Sequence, residues 1–256
     1  MSISDARASN GRRAVAAMQF SGDIATLIAA ARAQKRHILS EPESKALLRA
    51  QGIAVPAGRM VRSAEEAPGV VEEIGAPVVV KAVAHQLTHK TEAGAVMFPV
   101  DTPAAAQAAC RTIAERVAGY RADIVLEGFL IEAFRPAQPE WILALRNDPN
   151  FGPAIMFGLG GIYVETLRQV TFRLAPLREQ DIEALMSERP ATTLLEGARG
   201  RPPSNRRALG EAMRRLSDLS QQPQIRRDVS EIEINPLRID EQGVLALDAL
   251  VVLRPQ

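Results

Sequence analysis

Several residues in this 256-residue chain have the types and spacing for chemistry on a phosphate. Lys81 lies inside the run VVVKAV, where burying an ammonium is costly unless it reaches water or meets an anion. It reads either as an edge-strand lysine or as a phosphate-binding lysine projecting into a cleft. The segment His85-Gln-Leu-Thr-His89-Lys90-Thr91-Glu92-Ala93-Gly94 then joins two strands that a tight turn would suffice to connect. Long connections of this kind are more often functional. This one offers imidazole, ammonium, hydroxyl and glycine-freed amide groups, which suit a polyphosphate. Either histidine taken alone is an ordinary surface residue.

The C-terminal segment supplies oxygen donors. In Glu231-Ile-Glu233-Ile-Asn235, two-residue periodicity puts both glutamates and the asparagine on one strand face. A turn centred between Glu241 and Gln242 sets Asn235 opposite Asp248, and paired residues share a face. Hard oxygen donors gathered in this way suit Mg²⁺ bound with a nucleotide; the alternative is a polar face turned to water. Gly158-Leu-Gly160-Gly161 covers half of G-x-G-x-x-G, but Tyr163 stands where the last glycine belongs, and no G-x-x-x-x-G-K-[ST] occurs. The dinucleotide-fold and P-loop readings therefore have little support. The glycines still imply close backbone approach, to a ligand or to another strand.

The elements that position these residues follow from local signals. Ser40-Glu41-Pro42-Glu43 is a helix start, with a glutamate three residues after the cap and proline in the first turn. Residues 76–84 and 93–100 read as strands, 103–118 as a helix, and 178–188 and 205–220 as helices. DIVLEGFLIEAF and PEWILALRNDP read as strands paired with each other. Strands and helices mix without regular βαβ alternation, which predicts an α+β fold. The first 38 residues read as a tail and short helix outside the core.

Composition narrows the function classes. Lys and Arg number 31 against 30 Asp and Glu, so net charge argues for neither nucleic acid nor an anionic membrane as partner. Aromatic residues are 4%, too few for base-stacking platforms. No apolar run reaches the ~20 residues of a membrane span, and no signal-peptide pattern is present. The lone Cys110 fits a reducing, cytoplasmic setting.

In order along the chain, PVVVKAVAHQLTHKTEAGAV, LRNDPNFGPAIMFGLGGIYVE, FRLAPL, LLEGARG and EIEINPL resemble the ATP-grasp β subunit of NDP-forming (ADP-forming) acyl-CoA synthetases, such as acetate–CoA ligase, relatives of succinyl-CoA synthetase. The resemblance spans residues 40–253. It implies an ATP-grasp fold whose two α+β lobes, residues 39–125 and 126–256, hold the nucleotide between them, with a hinge near Glu132–Phe134. It implies that Lys81 contacts phosphates and that His89 is the phosphate-relaying histidine. Glu132 and the backbone around Ala133 would hold adenine, and Glu140 would meet the ribose. Asn235 and Asp248 would bind magnesium, while Gly160, Gly161, Glu165 and Arg173 belong to motifs of less specific role. Ala84, Ala95, Glu132 and Glu233 replace residues more usual in the family.

The same resemblance implies the reaction acid + ATP + CoA ⇌ acyl-CoA + ADP + phosphate through a phosphohistidine relay. The CoA-binding and ligase domains find no room in 256 residues. A hetero-oligomer with a CoA-binding α subunit is therefore expected, that partner choosing the small-molecule acid. A succinyl-CoA synthetase β-like subunit and a non-catalytic nucleotide-binding regulatory subunit are the alternatives.

Overall fold

The computed structural model describes residues 23–87, 90–161, 169–188, 190–197 and 200–255. The chain runs α1 (Ile24–Ala33), β1 (Ile38–Leu39), α2 (Glu41–Ala50), β2 (Gly58–Val61), α3 (Ala67–Ile74), β3 (Val78–Val83), β4 (Val96–Val100), α4 (Pro103–Tyr120) and β5 (Gly128–Ala133). It continues through β6 (Trp141–Asp148), β7 (Gly152–Leu159), β8 (Val170–Leu174), α5 (Glu179–Ser187), α6 (Ala191–Leu195), α7 (Arg206–Leu219) and α8 (Pro223–Asp228). The final strands are β9 (Val229–Asp240), β10 (Gly243–Ala246) and β11 (Ala249–Leu253). Among the described residues no helix is long and apolar enough to cross a membrane.

The strands form two antiparallel sheets, as the mixed α+β pattern predicts. The smaller has the order β2-β5-β3-β4, and α3 and α4 pack on it through Val70, Ile113 and Val117 against Val78, Val80 and Ile131. Helix α4 begins where Thr102 Oγ1 accepts the Ala105 N–H at 3.1 Å. Its buried Ala106, Ala109, Cys110, Ile113 and Val117 recur at helical spacing, so one stripe faces the sheet. The larger sheet has the order β1-β11-β9-β6-β7-β8, with β10 also on β9. One of its faces carries Trp141, Leu143, Leu145, Ile155, Phe157, Ile232 and Ile234 into a single core with α1, α2, α5 and α7. By the two-residue alternation of strands, Ile142, Ala144, Glu231, Glu233 and Asn235 belong to the opposite face.

The C-terminal register agrees with the expected turn. Gly243 pairs with Asp240 and Ala246 with Leu237; after a break at Leu247-Asp248 the same register resumes with Ala249 opposite Ile234. Asn235 and Asp248 therefore face each other at the interruption. The long connection between β3 and β4 is present as expected, closed at its base by Ala82 N–H donating to the Ala95 carbonyl at 2.8 Å.

Two expectations change. Strands β5 and β6 do not pair with each other: β5 joins β2 and β3, whereas β6 lies between β7 and β9 in the other sheet. The intervening segment 134–140 therefore crosses between sheets, and β5, although it follows residue 125, belongs to the smaller one. Both strands are short apolar runs, and such runs carry no mark of which sheet they complete. The first helix also belongs to the core rather than lying outside it. Asp23 caps α1 by accepting the Thr26 N–H at 2.9 Å. Ile24, Leu27, Ile28 and Ala31 then form an i, i+3, i+4, i+7 stripe buried against the large sheet. Residues 1–22 lie outside the described residues.

Burial of that stripe makes α1 a stabilising element. Ile28→Ala should cost about 2–4 kcal/mol in urea unfolding, the usual price of a truncated core isoleucine. Ala30→Ser, on the exposed face of the helix, should change stability by less than about 0.5 kcal/mol. Equal, small effects from both would place α1 outside the core.

Candidate functional site

The two sheets meet across α2. Its start is specified locally, with the Ser40 N–H donating to Glu43 Oε2 at 2.7 Å and Pro42 in the first turn. Arg36 grips the same Glu43 carboxylate with two bonds of 2.8 and 2.9 Å. Residues Glu41 through Leu48 are all buried, so the charged ones must find partners inside the protein. Glu41 and Lys45, four residues apart, share one helix face. Lys45 Nζ lies 2.8 Å from Glu41 Oε1, 2.5 Å from Glu132 Oε2 on β5 and 2.8 Å from the Leu247 carbonyl. Lys81 Nζ, reaching in from β3, lies 2.5 Å from Glu41 Oε1, 3.3 Å from Glu132 Oε2 and 2.7 Å from the same carbonyl. Lys90 Nζ completes the set, 2.5 Å from Glu41 Oε2 and 3.1 and 2.9 Å from the two oxygens of Asp248.

The Leu247 carbonyl can serve two lysines because of Pro236. The Leu247 N–H donates to the Pro236 carbonyl at 3.0 Å. In an antiparallel pair the return bond would come from the N–H of residue 236, which proline lacks. The freed carbonyl takes ammonium donors instead.

This network decides the charge states at the site. Burial by itself would raise the Glu41 pKa, but Lys45, Lys81 and Lys90 outweigh it and hold the carboxyl well below its usual value. Burial would likewise lower the Lys81 pKa, yet Glu41, Glu132 and Asp248 raise it above the ordinary lysine value. Lys90 is raised too, its burial outweighed by Asp248 and Glu41. Glu41, Lys81 and Lys90 thus stay ionised together at neutral pH.

Beside the network a cavity of about 450 Å³ opens between the sheets, within the usual size of a ligand site. Its walls combine Lys81, Glu132, Glu140, Asn235 and Asp248 with apolar Val79, Val96, Phe98 and Phe134. Phe98 and Phe134 stack with ring centroids 5.3 Å apart. Glu132 is fully buried; its Oε1 has no hydrogen-bond partner, while its Oε2 is held by the lysines. Burial pushes the Glu140 carboxyl up. A smaller cavity of about 150 Å³ lies against Lys90, His85, Glu233, Asn235 and Asp248.

The glycine cluster packs against this site. A Cβ at position 160 would stand 2.8 Å from the Trp141 backbone and 2.9 Å from Asn235 Oδ1. One at position 161 would stand 2.1 Å from Glu140 Oε2, at a φ of +57° that favours glycine. The Gly161 N–H donates to Asn235 Oδ1 at 3.2 Å. The close approach implied by these glycines is therefore to a neighbouring strand and to cavity-lining side chains.

Of the residues expected from sequence, Lys81, Glu132, Ala133, Glu140, Gly161, Asn235 and Asp248 line one cavity, with Gly160 packed against Asn235. His89 and Glu165 lie outside the described residues. Arg173 is on β8, paired with Glu188 at 2.9 Å, and does not line this cavity. His85, expected as a surface loop residue, is instead half-buried, with its Nε2 3.0 Å from Glu127 Oε1. Its burial, and next the nearby Arg36, lower its pKa. Sequence reasoning missed Glu41 and Lys45. Their only local sign is a Glu–Lys pair at i, i+4 in a helix otherwise rich in buried apolar residues.

The donor set fits a hard cation. Asn235 and Asp248 offer one amide and one carboxylate oxygen site, as Mg²⁺ shared with phosphate oxygens requires. The Lys90 ammonium against Asp248 already stands in for a cation. Among the described residues no three His, Cys, Asp or Glu side chains converge as a metal cluster of their own.

Residues 30–253 match the ATP-grasp domain family. The chain is 40% identical over 228 residues to the acetate–CoA ligase (ADP-forming) I subunit beta of Pyrococcus furiosus, covering 89% of this chain and 96% of that protein. Acetyl-coenzyme A synthetase 1 of Ca. Korarchaeum cryptofilum, solved in complex with coenzyme A and Ca-AMPCP, aligns with a TM-score of 0.86 at 36% identity, over 91% of this chain and 100% of that one. Another structure of that enzyme, with coenzyme A and Mg-AMPPCP, has its phosphohistidine segment pointing towards the nucleotide binding site; it aligns with a TM-score of 0.77 at 34% identity, over 90% of this chain and 99% of that one. A fold of two sheets around a lysine-lined cavity, a family match over nearly all described residues and this likeness to named beta subunits together make the chain a member of the ATP-grasp family, among the beta subunits of ADP-forming acid–CoA ligases.

Proposed function

We propose that this chain is the nucleotide-handling subunit of an ADP-forming acyl-CoA synthetase, working with a CoA-binding α subunit. The observation that carries the reading is the meeting of Lys81 with the Asn235/Asp248 end of the large sheet around one cavity. Lys81 Nζ is 2.7 Å from the carbonyl of Leu247, the residue before Asp248, although it comes from the other sheet. A triphosphate in this cavity would meet the Lys81 ammonium and the Asn235 and Asp248 oxygen donors, groups that position and neutralise a transferring phosphoryl group.

In this reading Lys81 binds the phosphates. Glu132, beside the Ala133 backbone, offers its unpartnered Oε1 as acceptor to the adenine amino group. Glu140 meets the ribose, with Gly161 leaving room for its carboxyl group. Asn235 and Asp248 hold Mg²⁺, which when bound supplies charge neutralisation and in-line orientation of the phosphates. His89, as the unprotonated imidazole, attacks the γ-phosphorus. A nitrogen–phosphorus bond forms as the bond to the β-phosphate oxygen breaks, and ADP leaves. The phosphoryl group then passes to a histidine of the partner and on to the acid; CoA thiol displaces phosphate from the acyl phosphate.

The purified chain should bind Mg·ATP in calorimetry yet form no acyl-CoA until the α subunit is added; robust synthesis by the chain alone would remove the two-subunit reading. His89→Ala should abolish phosphoryl exchange between labelled ATP and the α subunit while leaving Mg·ATP affinity within about twofold. His85→Ala should retain most of the exchange. If His89→Ala exchanges fully, the relay belongs elsewhere. Lys81→Met should instead weaken Mg·ATP binding by ~10- to 100-fold, about 1.4–2.8 kcal/mol, because a charge-assisted contact is lost. Unchanged affinity in a folded Lys81→Met protein would move the phosphates away from β3.

A further inference from the structure

Lys90 occupies a place that the proposed reaction leaves unexplained. Its ammonium faces both oxygens of Asp248, at 3.1 and 2.9 Å, so the proposed metal ligand is already neutralised. Asp248 Oδ1 also accepts the Ala249 N–H at 2.7 Å, and the rest of the carboxylate faces the cavity. Three ammonium groups (Lys45, Lys81, Lys90) pair with three carboxylates (Glu41, Glu132, Asp248).

A divalent cation at Asp248 would sit within a few ångströms of the Lys90 ammonium, and like charges at that distance repel strongly inside a protein. Metal binding and the Lys90–Asp248 pair therefore exclude each other. Glu41 Oε1 stays held by Lys81 and Lys45 at 2.5 and 2.8 Å, so only its Oε2 relies on Lys90. What Lys90 lacks, once displaced from Asp248, is a new anion. A triphosphate in the adjoining cavity supplies one.

We propose that Lys90 is a built-in placeholder cation. It closes Asp248 to bare divalent metal ions and is exchanged for the metal only when nucleotide phosphates arrive to receive the ammonium. The metal and the nucleotide are then admitted together. The inference rests on the reading of Asp248 as a metal ligand.

The test is a Mn²⁺ titration followed by electron paramagnetic resonance, at fixed pH and without nucleotide, on the wild-type chain, Lys90→Met, Lys90→Gln and Lys90→Met/Asp248→Asn. Thermal melts establish that each variant is folded. Both single variants should bind bare Mn²⁺ at least about tenfold more tightly than wild type, and the double variant should lose that gain. In parallel, Asp248→Asn should weaken Mn²⁺·ATP binding. If both folded Lys90 variants bind bare Mn²⁺ no better than wild type while Asp248→Asn still weakens Mn²⁺·ATP, the placeholder is refuted and the metal ligand stands. If Asp248→Asn leaves Mn²⁺·ATP affinity unchanged, the metal reading fails and the placeholder falls with it.

Discussion

Glu41 carries a charge in a place where water cannot help it, and the site is built around the cost of keeping it there. An unpaired carboxylate buried to this degree would cost several kcal/mol, and removing one partner from a buried pair typically costs about 3–5 kcal/mol. Lys45, Lys81 and Lys90 meet that requirement from a helix, a strand and a loop. Because Glu132 and the Leu247 carbonyl hold the same lysines, one set of contacts ties α2 to both sheets. The relative placement of the sheets and the charge of the cavity are thus settled by the same atoms.

The large sheet divides its labour by face. One side is a continuous apolar core with the helices, including the fully buried Trp141 stacked on Phe157 at 5.2 Å. The other carries Glu231, Glu233 and Asn235 and has fewer apolar partners. Arg146 on β6 answers Glu231 at 2.9 Å, whereas Glu233 is pushed up in pKa first by burial and then by its neighbour Glu231. The polar face is backed by the packed face behind it, which fixes the strands that carry Asn235.

Proline and glycine act here through what they lack. Pro236 has no N–H, so the Leu247 carbonyl is left for lysines. Gly160 and Gly161 have no Cβ, so the end of β7 lies directly on Asn235 and Glu140. Each absence brings a polar group of the site to its partner without adding any atom of its own. The network so formed sets three lysines against three carboxylates.

Much of this was legible in the chain before any coordinates. The capping of α2, the extents of α5 and α7, and the register that sets Asn235 opposite Asp248 all depend on residues within a turn or a hairpin of one another, so local rules suffice. Lys81 was legible because an ammonium inside VVVKAV demands an anion. Which anion it meets was not. Glu41 is 40 residues away from Lys81, and Lys45 lies 87 residues from Glu132; no periodicity connects such positions. The same limit separated β5 from β6 and brought α1 into the core. Local sequence determines which elements form and which face each one buries. Which partner covers that face, and which counter-charge answers each buried lysine, is decided only when the desolvation cost of the whole chain is met at once.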